Sequence, residues 1–414
     1  MNFLERRQAI LVFLAFAFAY FLSALIRAIT ATLSPVLTQE FTLNASDLGL
    51  LAGGYFLGFA STQLLLGRWL DRHGPKRVIL AFLSVAVLGC LAFSLASNFA
   101  SLLLARILCG VGVGACLMSA LTGYRRWFEL SVQIRSNSWM LMTGSMGMVA
   151  STLPVQWLLP WLGWRPLFLG FAVLVLLSMA VIAWQVPSWQ TGPSATSATS
   201  NTDNSYDQVW RHPYFRRLIP LGFFSYGSLL AIQTLWATPW MIRVGGYSPL
   251  QATAGLFWIN VAMLLTFWGW GLLGPRLAQR GWDAERLMIK GLPWSLLLLA
   301  LMIGVGDLLP GWSGILLALV CVSTSVVSLA QPSLGMAFPS ALAGRALSAF
   351  NLVIFSGVFV VQWGIGLLLD GMTALGLSEV RAFQAALLVL LLCCCASYAF
   401  FVATKSHNAV DASP

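Results

Sequence analysis

The chain carries very little charge. Only 9% of its 414 residues are Asp, Glu, Lys or Arg, with 13 acids against 23 bases, and there are three histidines, His73, His212 and His407. With 59% hydrophobic residues and a mean hydropathy of +0.83, so sparse a polar surface could not keep a fold of this length in water. The marks of catalysis are missing too. No nucleophile and base, and no His/Cys/Asp/Glu set at ligand spacing, share one depth of the chain, which argues against an enzyme and against a bound metal. There is no Gly-Lys-Ser/Thr phosphate loop, so ATP is not the energy source, and no cofactor is expected. The seven cysteines fall within apolar runs, where they act as small apolar residues rather than as a disulfide framework.

What the chain has instead is long apolar runs. A helix crosses a bilayer with about 20 apolar residues, and twelve runs qualify, at approximately 10–34, 47–69, 76–97, 100–122, 137–160, 165–186, 216–242, 251–273, 287–306, 312–338, 346–370 and 380–404. An all-α integral membrane protein with twelve transmembrane helices is implied, its partner the lipid bilayer. These runs are numbered as spans 1 to 12. Eighteen of the 23 basic residues lie in segments on one side, three on the other, and two, Arg27 and Arg106, inside spans. Positive charge collects on the cytoplasmic side of a membrane protein. Both termini are therefore expected in the cytoplasm, and the net charge of +10 reports topology rather than a nucleic-acid partner. Residues 187–215, rich in Ser, Thr and Ala around 191–201, read as a cytoplasmic linker. The linker divides the chain into an N-terminal six-helix bundle (1–186), a C-terminal six-helix bundle (216–404) and a short cytoplasmic tail (405–414).

Between spans 2 and 3 lies Gly67-Arg68-Trp69-Leu70-Asp71-Arg72-His73-Gly74-Pro75-Lys76-Arg77. Its pattern, Gly-x-x-x-Asp-Arg-x-Gly-x-Lys-Arg, resembles the signature at this place in the major facilitator superfamily (MFS) of transporters. The second half offers Gly274-Pro275-Arg276-Leu277-Ala278-Gln279-Arg280-Gly281 at the matching hairpin, with Ala278 where the first has Asp71. Thr32-Leu33-Ser34-Pro35 is likewise echoed by Trp236-Ala237-Thr238-Pro239. Arg106 followed by Gly110, Gly112 and Gly114 resembles the family's fourth-helix motif. The resemblance implies two pseudo-symmetric six-helix bundles with substrate handled between them near midplane, helices 1, 4, 7 and 10 lining the cavity, and a bacterial-type inner-membrane location. It also implies an inner gate in which Asp71 latches the halves. Physically, an anion at the inner end of span 2 is favoured by the N-terminus of span 11, placed near Ala346 to Ser348. Gly67 and Gly74 would permit close approach and a tight turn, while Arg72, Lys76 and Arg77 anchor the hairpin.

An arginine in the membrane interior costs at least about 2.5–3.5 kcal/mol to insert, so it faces protein or a water-filled cavity. Arg27 shares one helical face with Tyr20, Ser23, Thr30 and Ser34. Arg106 lies at nearly the same depth. All thirteen acids read as loops or helix ends, so no interior carboxylate pairs with either arginine, and two such guanidinium groups favour an anionic substrate. The plainer alternative makes Arg27 a structural tether to carbonyls. Gln233, Trp236 and Trp240 on span 7, spaced with Tyr226 as on one face of an α-helix, join Gln331 on span 10, Asn260 on span 8 and Asn351 on span 11 as a hydrogen-bonding and aromatic wall. Trp164-Arg165 reads as an interface anchor, and Glu40 as a candidate proton route.

The function expected is secondary transport of a small, anionic organic solute by alternating access, by a monomer, with protons as a candidate coupling ion. Proton-coupled efflux of amphipathic compounds is the alternative within transport, although span 5 lacks the Gly-Pro and Gly-Gly of exporter-type members. A non-cycling, transporter-like receptor or assembly factor is the alternative of another class.

Overall fold

The loops supply the caps from which the spans start. Asn44, Asn98, Ser248 and Ser378 each accept, through the side chain, a backbone N–H three residues on, and at the first three the residue three positions on answers in a capping box. Asp283 caps in the same way. In the computed structural model, residues 3–188 and 202–404 are described; linker residues 189–201 and the tail 405–414, with His407, lie outside the described residues.

Span 1 is Arg6–Phe41, and spans 2 and 3 share Ala45–Ser94, which breaks at Gly74. Span 4 comprises Phe99–Val113 and Cys116–Trp127, span 5 comprises Leu130–Ala150 and Leu153–Leu162, and span 6 is Trp164–Gln185. A short helix, Thr202–Arg211, precedes span 7 at 213–243. Spans 8 to 12 are Pro249–Gln279, Ala284–Val305, 313–337, Ser340–Ala374 and Glu379–Ala403. Among the described residues these helices correspond to the twelve spans expected from the sequence. Span 11 starts at Ser340, earlier than the sequence suggested, because Pro339 holds Phe338 before it in an extended conformation and so ends the preceding helix.

Gly74 has φ +76° and ψ 162°, a conformation that strains any side chain, and this one residue lets two spans join without a loop. Gly74→Val is expected to cost roughly 1–2 kcal/mol, read as a lower Tm of the solubilised protein. Gly364→Val, at an ordinary φ with nothing within 4 Å, should leave Tm unchanged.

Small residues set the packing. A Cβ on Gly110 would overlap the Tyr55 carbonyl, and one on Gly58 the Ile107 carbonyl, so spans 2 and 4 touch backbone to backbone. At the break in span 5 the freed Ser151 carbonyl accepts from the Thr32 hydroxyl at 2.8 Å. We call the end of the molecule holding Arg72, Arg77 and Arg125 the basic face. The halves meet along spans 2 and 11, 1 and 7, and 5 and 8, whereas the basic-face segments Cys116–Trp127 and Ala330–Ala337 pack chiefly within their own halves. At the opposite face Glu40 accepts from Trp164 Nε1 and from Arg165, both at 2.6 Å, and the Arg165 guanidinium lies over the indole. Glu40, sketched from sequence as a candidate proton route, is thus bonded to Trp164 and Arg165.

Candidate functional site

The polar stripe of span 1 does turn inward: Tyr20, Ser23, Thr30 and Ser34 are buried, and Arg27 among them is half-buried. Its guanidinium reaches the hydroxyls of Tyr20 and Tyr55, Tyr226 of span 7 lies in its field, and its Nε has no hydrogen-bond partner. Among the described residues no carboxylate pairs with it. Room for Tyr20 comes from span 5, where a Cβ on Gly144 would sit 2.6 Å from the ring. Tyr55, absent from the residues singled out by sequence, links both arginines. Its hydroxyl donates to the Ser23 carbonyl at 3.2 Å, and its ring lies 5.0 Å from the Arg106 guanidinium carbon.

Arg106 occupies a different environment. It is fully buried and donates Nη1 to the Ile26 carbonyl at 2.8 Å and Nη2 to the Arg27 carbonyl at 3.2 Å. It therefore straps span 4 to the backbone that carries Arg27, and the cavity contact expected of it is not what this geometry provides.

Span 7 departs from the α-helix twice, with i→i+5 turns at Leu221–Tyr226 and Ile232–Trp236. Such π turns gather at functional sites, and each adds a residue, rotating the remainder of the helix by about 100°. The α-spacing that placed Tyr226, Gln233, Trp236 and Trp240 together therefore fails. Trp240 is fully buried and donates to Ser313 at 2.9 Å, tying span 7 to span 10. Trp236 donates to the Gln362 carbonyl of span 11 at 3.1 Å. Gln233 donates to Asn260 Oδ1 at 2.8 Å, leaving the buried Asn260 Nδ2 without a partner. Gln331 and Asn351 are half-buried and bonded to each other at 2.7 Å. The expected wall thus divides into a Gln233–Asn260 pair with a spare donor, interhelical ties at Trp236 and Trp240, and a separate Gln331–Asn351 pair.

The model for the Major Facilitator Superfamily matches residues 16–362. The chain belongs to the major facilitator superfamily. Among relatives, it is similar to a 4-hydroxybenzoate transporter of Acinetobacter baylyi, 28% identical over 182 residues, covering 43% of this chain and 39% of that protein. It is also similar to a probable L-galactonate transporter of Escherichia coli, 23% identical over 256 residues, covering 61% of this chain and 53% of the relative. These matches span between two fifths and about half of the relatives' length. A solved bacterial homologue of the human lysosomal transporter Spinster, inward-facing and unoccupied, aligns with a TM-score of 0.75 at 16% identity over 97% of both chains. That likeness concerns the fold.

The superfamily's hairpin signature lies at the basic face. Gly67 admits the Tyr206 hydroxyl, which would lie 3.8 Å from a Cβ there and which donates to the Leu64 carbonyl at 3.2 Å. Arg72 and Arg77 are exposed and Lys76 half-buried, as surface anchors would be. Asp71 keeps part of its surface in solvent. Partial enclosure raises its carboxyl above the ordinary pKa, opposed by the guanidiniums of Arg345 on span 11 and Arg125 on span 4. With span 11 starting at Ser340, its first turn lies away from Ala346–Ser348, and the positive group nearest Asp71 in effect is Arg345.

Proposed function

We propose that this chain is a secondary transporter that carries a small organic anion across the bacterial inner membrane by alternating access, as a monomer with both termini and the basic face in the cytoplasm. The observation that carries the reading is Arg27, a cation without a carboxylate partner in the described residues, facing tyrosines from spans 1, 2 and 7. Besides Arg106 Nε, which is also bare, each half brings a buried nitrogen donor without a partner to the candidate site, Arg27 Nε and Asn260 Nδ2. An anion between the halves satisfies both. The relatives' printed substrates, 4-hydroxybenzoate and L-galactonate, are both carboxylates, and a ring with a phenolic hydroxyl suits the Tyr20, Tyr55 and Tyr226 surround. In this reading Asp71 and Arg345 belong to the gate at the basic face. A proton is the candidate coupling ion, and Glu40, Asp370 and Glu379 are each held by other groups.

A thermal-shift screen of the purified protein tests the reading with aromatic and aliphatic carboxylates, phosphates, neutral nutrients and lipophilic cations. Stabilisation confined to carboxylates is expected. Stabilisation by cations or neutral amphiphiles in place of carboxylates contradicts it and favours efflux.

A further inference from the structure

The N-terminus of span 2 is completed from the other half of the chain. A helix start leaves its first N–H groups without partners inside the helix. Asn44 takes the Asp47 N–H at 2.7 Å, but the Ala45 and Ser46 N–H groups donate to Asp370 of span 11, to Oδ1 at 3.1 Å and Oδ2 at 2.8 Å. One carboxylate thus grips two adjacent amides, with both oxygens used, at the positive end of a helix.

The surroundings are built for closure. A Cβ on Gly366 would overlap the Ala45 carbonyl, one on Gly49 the Gln362 carbonyl, and one on Gly53 would sit 3.0 Å from the Phe359 ring. Deeper in, Phe59 and Phe355 bring ring centroids to 4.4 Å. From Ala45 to Phe59, about 21 Å of helix, spans 2 and 11 are sealed against each other. Beside this seam the Gln362 amide donates to the Thr234 hydroxyl of span 7 at 2.9 Å, and its buried Oε1 has no partner.

We infer that Asp370 is the latch of the gate at the face opposite the basic one, holding spans 2 and 11 together by capping span 2 and releasing it when that face opens. The inference rests on the alternating-access reading. It makes this gate the counterpart of Asp71 at the basic face: each is a carboxylate at the C-terminal end of one of the two spans, facing the other. Asp71 answers a guanidinium, whereas Asp370 answers backbone amides, so no side-chain partner can be deleted without altering the helix start.

The test is the distance across this face, measured by paired spin labels at the exposed positions Ser97 and Leu375, introduced as Ser97→Cys and Leu375→Cys with the native cysteines replaced. The unaltered latch should give one short distance. Asp370→Asn, which removes the charge, and Ala45→Pro, which removes one donor at a position where helices accept proline, should each add a longer population. The open-to-closed ratio should rise by about tenfold. A control, Asp47→Asn, changes a carboxylate on the same turn that does not cross the seam and should leave the distances alone. Unchanged distances in both latch variants overturn the inference, as does an equal shift in Asp47→Asn. Because labels report the gate without any substrate, a responding gate in a protein that moves no organic anion would sink the substrate reading and leave the latch standing.

Discussion

Arg27→Gln abolishes carboxylate-induced stabilisation and lowers anion flux by about 100-fold, while the Tm of the unliganded protein stays near wild type. Loss of one member of a buried, hydrogen-bonded charge pair costs ~2–5 kcal/mol, and the substrate's carboxylate is the group that would lose its partner. The free protein loses little, because Arg27 has a bare Nε and its guanidinium meets neutral tyrosine hydroxyls rather than a carboxylate among the described residues. Arg27→Lys keeps the charge but not the two-pronged donor geometry, so its flux falls between the two. Isothermal titration and flux on the same preparations separate the two effects.

Arg106→Leu gives the opposite pattern. It removes two charge-assisted bonds to the Ile26 and Arg27 carbonyls from a fully buried site. At ~1.5–3 kcal/mol for each bond to a charged group, about 3–6 kcal/mol of stability goes with them, and the orphaned carbonyls loosen the backbone that aims Arg27. Expression and Tm should collapse together, in the presence or absence of anions. If Arg106→Leu instead keeps wild-type Tm and loses only anion binding, Arg106 is a substrate ligand and the strap described above is wrong.

The contrast between the two arginines marks the limit of what sequence shows. Both lie at one depth in apolar runs without acids, and nothing local separates a guanidinium facing a cavity from one bonded to carbonyls of another span. Span number was legible because hydrocarbon thickness fixes run length, and the hairpin turn because Gly74 alone fits its φ. The break at Ser151–Thr152 was not, since Thr32 of a distant span meets its carbonyl. Span 7 defeated the spacing argument through its two π turns, which carry Trp240 to Ser313 and away from Gln233. Tyr55 left no signal in a run of apolar neighbours. Asp370 was read as a loop acid because its partners are backbone amides, which have no sequence signature.

The most direct test of the central claim is counterflow in proteoliposomes preloaded with unlabelled 4-hydroxybenzoate, comparing labelled 4-hydroxybenzoate with its neutral isostere 4-hydroxybenzamide, in wild type and Arg27→Gln. Accumulation of the carboxylate alone, lost in the variant, is the result predicted. Equal accumulation of the amide, or counterflow of the carboxylate undiminished in Arg27→Gln, would contradict an anion carried on Arg27.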